Sequence, residues 1–354
     1  MYYFSFFEPK YYDGKIESLS DFISLIGNDE SILRYLSNEF PSKKEKVDTN
    51  EMENSYRTFI ADMEDEVKYD FSRFLRAKLR DNVTEKQETF TVFYRGISDE
   101  SFKPVPSIYR GNNFKYEDRF INDIRVSNPD FVEGKTYIDE LSALQHYGCP
   151  TRLLDLTSNP LVALYFACED ALKDNSQHTD GCVEMFLTKE KDILHSNSDK
   201  VLILTALTHL TKDEKDQLLS ICDNEIITRG FSGAKLDKRV ASRKSVKKLY
   251  QEILRETNFE KEINCIDLLQ SFYVQPAFNN LRIRAQNGLF LINGLCQNAR
   301  ECSLRNENKI FARVIIPFNS KKKILEELDR ISINSKTLFP EIEDTVDYLK
   351  NKYK

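Results

Sequence analysis

The sequence predicts an α+β protein, a mixed sheet with flanking helices gathered in one domain. Short β-branched and aromatic runs such as Thr89–Tyr94 alternate with amphipathic stretches of helical period. One helix-forming stretch, Leu161–Ala167, is apolar on nearly every side, so it belongs against a sheet and not at the surface. Neither a repeat nor a low-complexity linker divides the 354 residues, a length one large domain can hold.

Taken in order, residues 1–14 are an aromatic N-terminal extension that pattern alone does not type. Leu19, Phe22, Ile23 and Ile26 share one helical face, with Ser18 or Ser20 as N-cap. Residues 41–88 read as a loop followed by a helix inserted before the next strand, Thr89–Gly96. Residues 97–116, with Pro104, Pro106 and Gly111, read as irregular; Glu117–Val126 and Glu140–Tyr147 read as helices, the second stopped by Gly148 and Pro150. Thr151–Leu156 is expected as a buried strand, and Asn159-Pro160 opens the apolar helix with an N-cap followed by proline at the first helical position. Asp180-Gly181 turns into a strand at 182–187. Residues 199–263 form a charged, mainly helical insertion with a basic run from Lys235 to Lys248. Strands at 288–292 and 311–316 and helices at 322–331 and 342–349 complete the chain.

Composition excludes some classes. A net charge of -6 argues against a non-specific nucleic-acid sleeve, which needs a broad excess of Lys and Arg. No stretch approaches the ~20 apolar residues of a membrane span, and Glu8, Lys10 and Asp13 interrupt any secretory apolar run. The seven Cys lack C-x-x-C spacing, which reads as free thiols in a reducing cytoplasm. Walker, dinucleotide-binding, nucleophile-elbow and H-E-x-x-H patterns are absent, and four scattered His give no metal site. Pro129-Asp130 with Glu133-Gly134-Lys135 mimics a nuclease motif, but the halves are too close to be presented by two strands.

Phe93-Tyr94-Arg95-Gly96, then Gln145-His146-Tyr147-Gly148-x-Pro150-Thr151-Arg152-Leu153-Leu154-Asp155-x-Thr157, then Asn159-Pro160-x-x-Ala163-Leu164-Tyr165-Phe166-Ala167 together resemble the FRG domain. Arg282-x-x-x-Gln286-x-Gly288-x-Phe290 and Thr337-Leu338-Phe339-Pro340-Glu341 match its later landmarks, so the resemblance spans 15–350. Tyr94 stands where the family name has Phe, and Leu156 where Trp is common. Members of that family are bacterial and phage-related, which implies an intracellular setting and a role in phage defence or a toxin-type context.

Within this framework each polar residue has two readings. Arg95 ends a strand and suits a phosphate or carboxylate, or an internal ion pair such as one to Asp155; Gly96 lets another backbone approach. Gln145 and His146 end a helix, where His146 is either a general base or a capping group. Arg152 and Asp155 alternate with leucines and need partners, which could be each other, Arg95 or a ligand. Thr157 and Ser158 precede a helix N-terminus that favours an anion, or simply cap it. Gln286 either binds an amide-bearing ligand or shapes a turn.

The expectation is a nucleotide-binding or nucleotide-modifying site, with His146, Asp155 and Gln286 catalytic and Arg95, Gly96, Gln145, Arg152, Thr157 and Ser158 binding ligand. A Tyr-Arg-Gly strand, a strand ending in Thr-Ser and a late strand with a polar residue look like the three-part order of ADP-ribosyltransferases. That resemblance implies NAD as cofactor, although Gln286 stands where those enzymes have Glu. The alternatives are a His/Asp hydrolase using His146 and Asp155, and a non-enzymatic sensor of a phosphate-bearing ligand, with nucleic acid contacted through 235–248.

Overall fold

The computed structural model describes residues 10–12, 16–26, 90–172, 178–277 and 281–353. The expected loop and helix at 41–88 therefore lie outside the described residues. The fold is α+β: a mixed sheet of eight strands flanked by helices. Its order is β1 (Lys10–Tyr12), β10 (Ile310–Ile316), β4 (Gly181–Lys189), β2 (Phe90–Ile97), β3 (Leu153–Thr157), β9 (Gly288–Asn293), β8 (Ser271–Gln275) and β5 (Leu194–His195). The outermost pairs, β1 with β10 and β5 with β8, are parallel, and the pairs between them are antiparallel. Two further short strands, β6 (Lys235–Leu236) and β7 (Ile263–Asn264), pair separately.

The sheet bends back on itself. Tyr273 of β8 donates its hydroxyl to the Leu187 carbonyl of β4 at 3.5 Å, although β2, β3 and β9 lie between those strands. Its ring also meets Phe93 of β2 with centroids 5.7 Å apart. The inner face so formed buries Phe93, Leu154, Leu156, Phe186, Leu289, Leu291 and Ile310. Burying each such side chain contributes roughly 1.5–3 kcal/mol.

Two helical blocks cover the outer face. Over β2, β4 and β10 lies the Pro160–Cys168 helix with the Phe318–Arg330 helix beside it, sharing a core with Val183, Met185, Ala312 and Val314. A Cβ on Gly96 would come 1.8 Å from the Ala163 carbonyl oxygen, and one on Gly181 would come 2.1 Å from that of Ala167. The apolar helix thus rests directly on two strand backbones, which explains why it is buried nearly all round. Over β3, β9 and β8 lie the Tyr137–His146 helix and the helices of 199–253, where Val201, Leu204, Leu207, Leu218, Cys222, Val246 and Leu249 are fully buried.

Several elements differ from expectation. The Tyr137–His146 helix begins three residues early because the Thr136 side chain accepts from the Asp139 N–H. Ile23, expected on the buried face of the Leu19–Ile26 helix, is exposed, whereas Leu19 and Phe22 are buried. The basic run starts as strand β6, passes a turn and becomes helical only at Lys244. All seven cysteines are free, and six are buried. No helix among the described residues is long and apolar enough to cross a membrane.

Candidate functional site

The sheet is split at its centre. Strand β2 pairs with β4 along all eight residues and β3 with β9 along five, but β2 and β3 share a single ladder pair, Tyr94 with Thr157. Beyond that pair the strands part and a cleft of about 390 Å³ opens. It is lined from the outer face by Tyr94, Gly96, Asp155, Thr157 and Phe290, and from the inner face by Arg95, Leu154 and Leu156. Residues of both faces reach it, so it runs through the gap in the sheet.

Asp155 stands on the floor. Leu154 and Leu156 beside it are buried, while Asp155 itself is exposed toward the cleft, between the two helical blocks. Gln145, from the last turn of the Tyr137–His146 helix, donates Nε2–H to its carboxylate at 2.6 Å. The other end of that amide accepts from the Thr151 hydroxyl at 2.5 Å, and only this orientation of the amide satisfies both bonds. Enclosure by the cleft walls raises the Asp155 carboxyl above its ordinary value; the Gln145 bond and the guanidiniums of Arg282, Arg95 and Arg110 offset part of that.

Three arginines converge here. Arg95 is held at 2.7 Å by Glu184, fully buried on β4 and directly opposite in register, and Glu184 is also bound by Arg313 of β10 at 2.7 Å. The expected alternative of an Arg95–Asp155 pair is thus replaced by a cross-strand Arg–Glu–Arg ladder. Arg110 comes from the irregular segment after β2, and its Nε donates to the Val105 carbonyl at 3.1 Å. Burial, reinforced by repulsion from Arg95, lowers its pKa, while Asp155 pulls the other way. Arg282 enters from the Leu281–Ala285 helix.

The remaining expected residues divide. Thr157 lines the cleft; its hydroxyl donates to the Gln286 carbonyl at 2.6 Å and accepts from the Asn159 N–H at 3.0 Å, tying the end of β3 to the entry of β9 and to the helix start. Gln286 lines the cleft too, with its Nε2 donating to the Leu338 carbonyl at 3.1 Å. His146 lies on the rim. Gly96 lines the cleft, but the backbone it admits is the Ala163 turn of the helix above it. Ser158 stays off the cleft wall, its N–H donating to the Asn287 carbonyl at 3.1 Å.

Arg152 is not in the cleft at all. Only 1% exposed, it binds Glu117 through both Nε (2.9 Å) and a terminal nitrogen, and donates to the Asn293 carbonyl at 3.0 Å. Lys215 meets the same carboxylate at 2.7 Å. Burial acts to raise the Glu117 carboxyl, but Arg152 and Lys215 outweigh it and hold it at about 2. This cluster fastens the Glu117–Ser127 helix and the Lys212–Gly233 helix to the entrance of β3.

Arg110, Ser107 and Phe166 were not expected in the site, yet they line it. Arg110 and Ser107 come from a segment without periodicity, where sequence offers no direction for a side chain. Among the described residues no group of three His, Cys, Asp or Glu side chains is placed to hold a metal ion. Asp130 lies in a four-residue helical turn with Glu133 just past it, not on paired strands.

In the basic run Arg239 pairs with Asp237 and Lys248 with Glu252, while Lys238, Arg243, Lys244 and Lys247 are exposed. The family model of the FRG domain matches residues 90–176, from β2 through the Pro160–Cys168 helix, and the landmarks at 282–290 and 337–341 lie beyond the match. No curated protein and no solved structure matches the chain.

Proposed function

With an FRG domain across residues 90–176 as the premise, we propose that its cleft binds a phosphate-bearing ligand of the nucleotide class and that Asp155 does chemistry on it. The observation that carries this reading is the gathering of Arg95, Arg110 and Arg282 around one carboxylate of raised pKa in a split of the sheet. Like charges held together in a concave, partly dehydrated site repel, and an anionic ligand relieves that repulsion. Guanidiniums match phosphate oxygens in a bidentate manner. A carboxyl of raised pKa holds its proton more readily than an ordinary one, which suits it to proton transfer.

Within the nucleotide class, an ADP-ribosyltransferase-like reaction on NAD is favoured by the order of the contributing strands. The Tyr-Arg-Gly strand, the strand ending in Thr157 and the strand entered at Gln286 all border one cleft. Gln286 cannot ionise and its amide is bonded to Leu338, so Asp155 takes the acid's part. The setting that goes with this reading is the cytoplasm, in phage defence.

Thermal-shift titration of the whole chain with NAD, ATP and pyrophosphate tests it, with Arg110→Ala and Asp155→Asn as partners. Arg110 has no ion pair to lose among the described contacts, only its bond to the Val105 carbonyl, so the ligand-induced shift of the variant is read against the variant's own unliganded melting temperature. A ligand at a hundredfold excess over its Kd adds about 2.7 kcal/mol to stability. Wild type unmoved by every one of these compounds would end the proposal.

A second reading, a sensor that also contacts nucleic acid, rests on the exposed cations Lys238, Arg243, Lys244 and Lys247, with no acid between Lys238 and Gln251. It requires DNA or RNA binding that weakens steeply with salt. Binding that survives removal of all four charges would discard it.

A further inference from the structure

The C-terminal landmark, far in sequence from the 90–176 match, fastens onto the cleft at four points. The Leu338 carbonyl accepts from Gln286, the Phe339 ring lies 4.4 Å from the Arg282 guanidinium and meets Phe166 edge-on at 6.0 Å, and Glu341 Oε1 is 3.1 Å from His146 Nε2. Gln286, Arg282, Phe166 and His146 all line the cleft. The wall is therefore shared between the FRG segment and residues 338–341.

We propose that Glu341 is a positioning residue, which fixes the His146 imidazole as the Nε2–H tautomer and so leaves Nδ1 as a bare acceptor just behind the cleft wall. A carboxylate accepts and cannot donate, so the ring proton of the neutral imidazole must sit on the nitrogen that faces it. Nδ1 is shielded from solvent, and no donor among the described residues reaches it; the same holds for Glu341 Oε2. The Tyr147 ring packs edge-on against the imidazole at 4.9 Å and limits its rotation. An unpaired acceptor is costly where water cannot reach it, and a ligand O–H or N–H would relieve it once the ring, which lines the cleft, turns Nδ1 toward the ligand. The ligand part rests on the reading of the cleft given above: the arginines take the phosphates, and His146 takes a hydroxyl or amide of the sugar or base. The tautomer part does not depend on that reading.

The test is long-range imidazole 15N NMR on the whole chain, which has only four histidines. At a pH high enough for the ring to be neutral, wild type is expected to show His146 as a single Nε2–H tautomer, and Glu341→Ala to average the two tautomers. His209, packed 4.1 Å from Tyr137 in the far core, reports whether the fold is intact. Should Glu341→Ala disturb His209, Glu341→Gln replaces it; a carboxamide offers either a donor or an acceptor and also releases the tautomer. An Nδ1–H tautomer in wild type, or His146 shifts unchanged in the folded variant, overturns the proposal. In parallel, Glu341→Gln is expected to weaken NAD binding about tenfold while leaving pyrophosphate binding unchanged. Equal loss of both overturns the hydroxyl or amide assignment. Absence of all binding by wild type instead defeats the cleft reading and leaves the tautomer result to stand alone.

Discussion

Gln145 donates to Asp155 at 2.6 Å while Thr151 donates to the other end of the same amide at 2.5 Å. The carboxylate is thus oriented by a neutral group, and no arginine is bonded to it among the described contacts. A bonded guanidinium would have tied it up as an ion pair; an amide aims it and leaves it exposed to the cleft.

The first prediction follows from that arrangement. The folded state raises the Asp155 pKa, so its charged form is disfavoured by folding, and the corresponding stability is present at low pH and lost as pH rises through the folded-state value. Asp155→Asn, which resembles the protonated form, should be as stable as wild type or up to about 1 kcal/mol more stable at pH 7. The difference should shrink toward zero near pH 4. Urea unfolding at the two pH values reads it, and a large destabilisation at pH 7 would show that Asp155 is a structural ion-pair partner.

Glu117 behaves oppositely. Its carboxyl is held at about 2 by Arg152 and Lys215, so the stability it contributes is present above the ordinary carboxylate range and lost as pH falls toward 2. Glu117→Gln leaves two buried cations without a counter-charge and should cost about 3–5 kcal/mol. A denaturant midpoint within error of wild type would refute this.

His209 gives a separate acid response. Burial, aided by Arg125, lowers its pKa to about 3, so it stays neutral in the folded state while the unfolded chain binds a proton below its ordinary value near 6.5. Stability attributable to it is full above pH 6.5 and declines as pH falls toward 3, by about 1.4 kcal/mol per pH unit once the unfolded-state histidine is protonated. His209→Phe should flatten the stability profile between pH 6 and 4. An unchanged slope there would locate the acid sensitivity elsewhere.

Gly96→Ala should be severely destabilising, on the order of 3 kcal/mol or more, because its methyl would sit 1.8 Å from the Ala163 carbonyl oxygen. Gly148, at φ +80° with open space around it, should tolerate alanine at the more modest cost of backbone strain. Melting temperatures of the two variants decide, and comparable losses would contradict the close helix–strand contact.

The central segment was legible because each of its signals is local. Asn159-Pro160 starts a helix by capping chemistry, and Leu153–Thr157 and Phe90–Ile97 declare themselves by composition. What lay beyond the sequence was pairing. Arg152 and Asp155 both stand next to a leucine, yet one meets Glu117 from a helix 35 residues earlier and the other meets open cleft. Strand β8 escaped notice because Ser271–Gln275 is a short run following directly on the Cys265–Leu269 helix, without a turn signal between them. Arg110 was invisible for want of periodicity, and Glu341 because a family landmark says nothing about what its side chain touches.

The single ladder pair between Tyr94 and Thr157 has a further consequence. Beyond it, β2 pairs only with β4 and β3 only with β9, so the middle of the sheet contains two inward-facing edges. Edge strands elsewhere invite foreign strands to add on, and proteins defend them with charge. Here Arg95 and Arg110 stand at the gap, a cationic guard against adventitious peptide. Main-chain polar groups along those edges offer a ligand hydrogen bonds that substitution of the surrounding side chains leaves in place.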